Sequence, residues 1–225
     1  MRRASLGVLS LLVVASMAGS VEADMLFSQM ELASPLGGQY SNVEAGVAAD
    51  DFTLSVDARV TGAKWYGFFF DDLSSPLPSV DFEIAFYSDA AGLPGTEIAR
   101  SAVSASVTDT GLDTPVEASE YWGGSSVYAF EVDSLPDIPV TAGETMWVSI
   151  MEDRPGSWLW SLHDRENPGM AYRTEMTTPA GPWSGGRNNL AFELTGDIAA
   201  VPVPGAFLLG SLGMGVASWR LRRRR

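Results

Sequence analysis

The sequence contains no cysteine. That excludes disulfide staples, cysteine-ligated zinc and a thiolate nucleophile, so a fold of this chain rests on its apolar core. Histidine occurs once, as His163 beside Asp164. A catalytic triad needs a nucleophile facing the imidazole, and no Gly-x-Ser-x-Gly elbow supplies one. His163 therefore reads as a loop histidine after a strand. Basic residues are scarce, 14 Lys and Arg against 28 Asp and Glu. A chain so acidic repels nucleic acid and anionic lipid surfaces. Between residues 24 and 198 no stretch shows a helical period. Nothing in spacing selects a carboxylate pair for glycoside hydrolysis. The composition thus argues against an enzyme.

What is present lies partly at the two ends. Arg2 and Arg3 precede an apolar run over residues 6–18, and Val21-Glu22-Ala23 offers a small-x-Ala cleavage site. These are the three parts of a secretory signal peptide over residues 1–23. At the other end, Val201-Pro202-Val203-Pro204-Gly205 leads into an uncharged run that ends at Trp219, followed by Arg220 and then Arg222, Arg223, Arg224 and Arg225. Fifteen uncharged residues from Gly205 to Trp219 make about 22 Å of helix, against roughly 30 Å of bilayer hydrocarbon. Such a helix is marginal as a permanent span. The arginines hold their end cytoplasmic, which places the body outside. Pro202 and Pro204 keep the outer edge extended and open to a protease.

This tail resembles the PEP-CTERM sorting signal, which has a Pro-x-Pro motif, a short hydrophobic helix and an arginine-rich end. It departs from the usual pattern at Val203, where the family commonly has Glu. The resemblance implies export, transient anchoring in the inner membrane by residues 201–225, recognition by an exosortase-type processing enzyme, and delivery to the cell surface or the extracellular space. A plain C-terminal anchor is the alternative. Removing residues 1–23 and 201–225 takes away seven basic and one acidic residue and leaves 7 against 27, a net charge of −20.

The body between residues 24 and 198 is a succession of short alternating segments separated by turn residues. Phe82, Ile84 and Phe86 alternate with Asp81, Glu83 and Ala85; Leu190, Phe192 and Leu194 share a face; Trp158, Trp160 and Leu162 share another. Residues 108–119 are polar and acidic and read as a long loop. Eight to ten short strands without helices predict an all-β domain, a single antiparallel β-sandwich of jelly-roll type. The expected core holds Phe82, Ile84, Phe86, Trp147, Trp160, Phe192 and Leu194. Phrases such as Ala49-Asp50-Asp51-Phe52, Val60-Thr61-Gly62-Ala63-Lys64-Trp65-Tyr66-Gly67 and Ala142-Gly143-Glu144-Thr145-Met146-Trp147 also resemble a β-rich domain of exported, envelope-associated bacterial proteins. That resemblance implies a sandwich and an extracellular setting, and brings no activity.

Three candidate sites follow from residue type. The pairs Asp50-Asp51 and Asp71-Asp72 offer oxygens that suit calcium, though no EF-hand loop is present and acidic pairs at strand ends also serve as turn formers. Among seven tryptophans, Trp122 and Trp183 lie in glycine-rich loops and would stack on sugar rings, whereas aromatic residues within the strands belong to the core. The tail is the third. The reading is an exported, non-enzymatic cell-surface or extracellular-matrix protein with exopolysaccharide as a partner. A carbohydrate- or calcium-binding module is the alternative, and a secreted hydrolase ranks below both.

Overall fold

The computed structural model describes residues 23–33, 36–69, 78–116, 123–153, 158–164, 171–173, 182–186 and 188–199. The expected signal peptide up to Glu22, the sorting segment 201–225, Asp71, Asp72 and Trp122 lie outside them. Among the described residues every named element is a strand, and no helix is long and apolar enough to cross a membrane.

In chain order the strands are β1 (Asp24–Gln29), β2 (Gly38–Tyr40), β3 (Val47–Thr53), β4 (Ala58–Phe69), β5 (Ser79–Asp89), β6 (Pro94–Asp113), β7 (Ser126–Val132), β8 (Ile138–Val140), β9 (Thr145–Glu152), β10 (Trp158–Asp164), β11 (Ala171–Arg173), β12 (Ser184–Gly185), β13 (Asn189–Leu190) and β14 (Phe192–Ile198). They form one antiparallel network in the order β1-β14-β4-β7-β6-β5-β9-β3-β11-β12, with β8 and β10 added along β4, and β2 and β13 along β10. The sheet curls strongly into a half-barrel. The all-β antiparallel expectation holds.

The curl follows from where the apolar side chains point. Phe82, Ile84 and Phe86 of β5, Phe130 of β7, Trp65 of β4, Trp158 and Trp160 of β10 and Phe192 of β14 all turn into the concave side and are buried. Their rings meet across it. Phe82 lies edge-on to Trp65 and to Trp158 with centroids 5.0 Å apart, and Phe27 stacks on Phe192 at 5.2 Å. Each such pair contributes about 0.5–1.5 kcal/mol beyond the area it buries. Gly67 allows this density, because a Cβ there would sit 2.5 Å from the Trp158 indole nitrogen.

Three expectations need correction. Residues 108–113 are strand, not loop, because β6 continues to Asp113 along β7. A bulge between Asp109 and Leu112, with Gly111 at φ 70°, absorbs the turn-like composition there. His163 lies within β10 and not in a loop after it. Trp147 is buried but belongs to a different cluster, on the convex side of the sheet, with Ala49, Ala85, Tyr87 and Ala171. Its side chain alternates away from Met146, Val148 and Ile150, which enter the main core.

Candidate functional site

The two neighbouring carboxylates of β3 point to opposite faces, as a period of two requires. Asp50 faces inward, where the curled sheet brings β3 against β13 and the end of β1. No backbone ladder joins β3 to either of these strands among the described residues. The Asp50 side chain takes its place. Its Oδ2 accepts hydrogen bonds from Gln29 Nε2 at 2.7 Å and from the Leu190 backbone N–H at 2.6 Å. Its Oδ1 accepts from the Asp51 N–H at 3.0 Å. The Gln29 amide donates a second time, to the Leu190 carbonyl at 2.8 Å. Asp50 is 1% exposed. Burial pushes its carboxyl up to about 8, and the charge of Asp51 adds to the effect; the hydrogen bonds from Leu190, Asp51 and Gln29 oppose it. The chemistry of this carboxyl is that of a seam fastener whose oxygens are committed to protein donors.

Asp51 faces the convex side, in the cross-strand row Asp51, Trp147, Tyr87. Trp147 Nε1–H donates to Asp89 Oδ1 at 2.9 Å. Asp89 also accepts from the Gly92 N–H at 3.1 Å, at the tip of the β5–β6 hairpin. Burial raises the Asp51 carboxyl above its ordinary value, and the nearby charge of Asp89 adds to this. Trp183, half-buried, sets its ring edge-on to Tyr87 with centroids 5.6 Å apart. The Tyr87 hydroxyl lies 3.4 Å from Ser149 Oγ and accepts from Arg100 Nη2 at 3.4 Å. Arg100 is held by Glu97 at 2.5 Å and by Glu83; the Glu97 bond raises its pKa further. The convex face therefore carries a half-buried indole against the Tyr87 ring, and on the same face two carboxylates and a guanidinium.

Of the residues singled out by sequence, the structure brings Asp51 and Trp183 to this face and sends Asp50 to the seam. Asp71, Asp72 and Trp122 lie outside the described residues. Among the described residues no three His, Asp or Glu side chains group so as to hold a metal ion. His163 Nδ1 is 2.6 Å from the Glu31 backbone carbonyl, so the ring donates there. Sequence reasoning missed Tyr87, Asp89 and Arg100. The signal for the first two was the phrase Tyr87-Ser88-Asp89, whose alternation places Tyr87 and Asp89 on one face. Comparison with protein-family models, with curated proteins and with solved structures finds no match to this chain.

Proposed function

We propose that the chain is an exported, non-enzymatic protein of the cell surface or extracellular matrix, whose curled sheet acts as a flattened, jelly-roll-like body. The observation that carries this reading is the tail: Val201-Pro202-Val203-Pro204-Gly205, fifteen uncharged residues, and the arginines through Arg225. Its chemistry suits a marginal span that waits in the inner membrane for an exosortase-type enzyme. The acidic body suits an aqueous exterior next to exopolysaccharide. Intact-mass analysis of the protein recovered from its native host tests this. The expected mass lacks residues 1–23 and the arginine end; recovery of the full-length tail from the inner membrane of cells with a working processing enzyme refutes sorting in favour of a permanent anchor.

A second reading has its own observation. The half-buried Trp183 ring beside Tyr87, on the face that also carries Asp51, Asp89 and Arg100, offers a stacking surface with polar groups elsewhere on the same face. Glycan-array binding that disappears in Trp183→Ala supports a carbohydrate-binding role. Unchanged binding in that variant removes this face from consideration.

A further inference from the structure

Strand β6 is an edge for part of its length. Up to Ser106 it pairs with β5, and from Ser106 onward with β7. Ser106 stands opposite Ser79 in one ladder and Glu131 in the other, so the two ladders use opposite sides of the strand. Along residues 99–104, the side away from β5 has no strand paired to it among the described residues. Natural edges of this length are blunted by lysine, proline or a bulge. Within the open stretch, residues 101–104, Ser-Ala-Val-Ser, contain no charge, proline or glycine, the one charge beside them, Arg100, is tied to Glu83 and Glu97, and the ladder with β5 is regular from Ala99 to Ser106. Ala99 and Val103 are half-buried and pack against the main core from this edge, while Ala102 and Ser104 point outward and are exposed. An unprotected edge with half-covered apolar side chains is a template for strand addition.

We propose that this edge pairs antiparallel with the same edge of a second copy of the chain, about a twofold axis at Ala102. A twofold normal to the sheet matches outer face with outer face, so the axis must pass through a residue position. Centred on Arg100, it would set two guanidiniums opposite each other. Centred on Ala102, it sets Ala102 against Ala102 of the second copy, Arg100 against Ser104 and Ser101 against Val103, a short pairing that ends where β7 begins. All the opposed side chains except Arg100 are small. Arg100, which Glu97 and Glu83 hold within its own chain, gains a further acidic neighbour in this arrangement. A shallow pocket of about 300 Å³ lies beside Ser104, lined by Asp81, Phe82, Ala102, Val103, Ser104 and Asp153. Two strand spacings, about 10 Å, separate Asp81 from Arg100 of the second copy, within the combined reach of the two side chains. The pocket is acidic and the same edge carries a cation, and the paired arrangement brings them together. Elsewhere the excess of acidic residues keeps copies apart. The inference stands on the strand edge alone and does not depend on the export reading.

The test uses charge exchange at the axis in the purified full chain, followed by sedimentation equilibrium. The wild-type protein is expected to rise with concentration from a mass of 24.0 kDa toward twice that value. Ala102→Lys and Ala102→Glu, each an exposed substitution compatible with the fold, are expected to remain monomeric alone and to dimerise when mixed, at least tenfold more tightly than either variant by itself. Because rescue requires both variants to be folded, unfolding cannot imitate it. Since the chain has no native thiol, Ala102→Cys is expected to form a disulfide-linked dimer under mild oxidation. Thr108→Cys, exposed on the same strand where β7 occupies the edge, should give at least fivefold less. A wild-type protein that stays monomeric at hundreds of micromolar overturns the proposal. So does failure of the mixed variants to associate, or equal cross-linking at positions 102 and 108.

Discussion

Asp50 offers the sharpest test of the physical reading, because two opposing effects meet in one carboxyl. Replacing it with alanine removes the acceptor for the Leu190 N–H, which lies in the interior, and for the Gln29 amide. Leaving a buried donor without a partner, together with the lost bonds, costs about 2–4 kcal/mol. Asparagine separates charge from shape. Both cross-seam bonds end on the same oxygen, Oδ2, so an amide with its oxygen there keeps them and loses only the local bond from Asp51. The pH dependence then follows from linkage. Burial holds the folded carboxyl at about 8, against 3.8 for the ordinary group. Between these values the folded chain carries a proton that the unfolded chain has released. Wild-type stability must therefore fall as pH rises through that window, by at most about 1.4 kcal/mol per pH unit, and level off above it. Asp50→Asn has no proton to lose. It is expected to match wild type within about 1 kcal/mol at pH 5 and to become the more stable of the two by pH 8–9. Urea melts at pH 5 to 9, compared at equal m-values, provide the measurement. If the difference between wild type and Asp50→Asn is flat across the series, or if wild type gains on the variant as pH rises, the bonds from Leu190, Gln29 and Asp51 outweigh burial and the argument fails.

Three further expectations concern packing and backbone. Phe86→Ala empties a site in the main core that is 2% exposed and should cost about 3–5 kcal/mol in urea melts; a loss below about 1 kcal/mol would mean that the concave face is wrongly assigned. Ala91 occupies φ 56° next to Gly92 at φ 80°, with the Ala90 N–H bonded to the Leu93 carbonyl at 2.8 Å, the geometry of a two-residue hairpin turn that favours Asn-Gly. Ala91→Asn should raise stability by about 0.5–1 kcal/mol, and no change in the melting temperature would contradict that turn. Gly196 stands where a Cβ would come 1.9 Å from the Arg59 carbonyl oxygen. Gly196→Ala must therefore shift the β14–β4 ladder at its bulge, with a loss of at least about 2 kcal/mol and faster amide exchange along residues 194–198.

The sequence was most legible where one rule governs a segment. Along residues 80–87 the alternation of large apolar and polar side chains names the inner face correctly, because a half-wet strand leaves only one way to bury Phe82, Ile84 and Phe86. Trp158 and Trp160 were legible for the same reason. The reading failed where a strand is covered on both sides. Tyr87 and Trp147 are buried on the convex side among Ala49, Ala85 and Ala171 of the same sheet, with Leu93 and Trp183 packed against them, and alternation cannot say which of two dry faces a ring enters. It failed again along residues 108–113, where Asp, Thr and Gly resemble a loop but are paired to β7 through a bulge. Asp50 was noticed for its charge, but its bonds across the seam could not be read. Its partners are 21 and 140 residues away in sequence, and only the curl of the sheet brings them together. The grouping of Asp51, Asp89 and Arg100 on the convex face depends on the pairing of β3, β9, β5 and β6, which alternation within one strand does not give.

The position of the last strand bears on how the chain becomes folded. β14, the last strand among the described residues, is not at the margin of the sheet; it lies between β1 and β4 and pairs with both. Until residues 192–198 have been synthesised, β4 lacks its neighbour from Ala58 to Trp65 and β1 has no attachment through its ladder at all. The earliest and latest segments must find each other, a contact of the greatest sequence separation this body allows, and such closures are slow. A nascent chain would therefore emerge with the flank of its central strand open, and would rely on its negative charge or on a holding chaperone to avoid aggregation. The uncharged run from Gly205 begins only a few residues after β14, so on the proposed export route the sheet would be completed just before that run reaches the membrane.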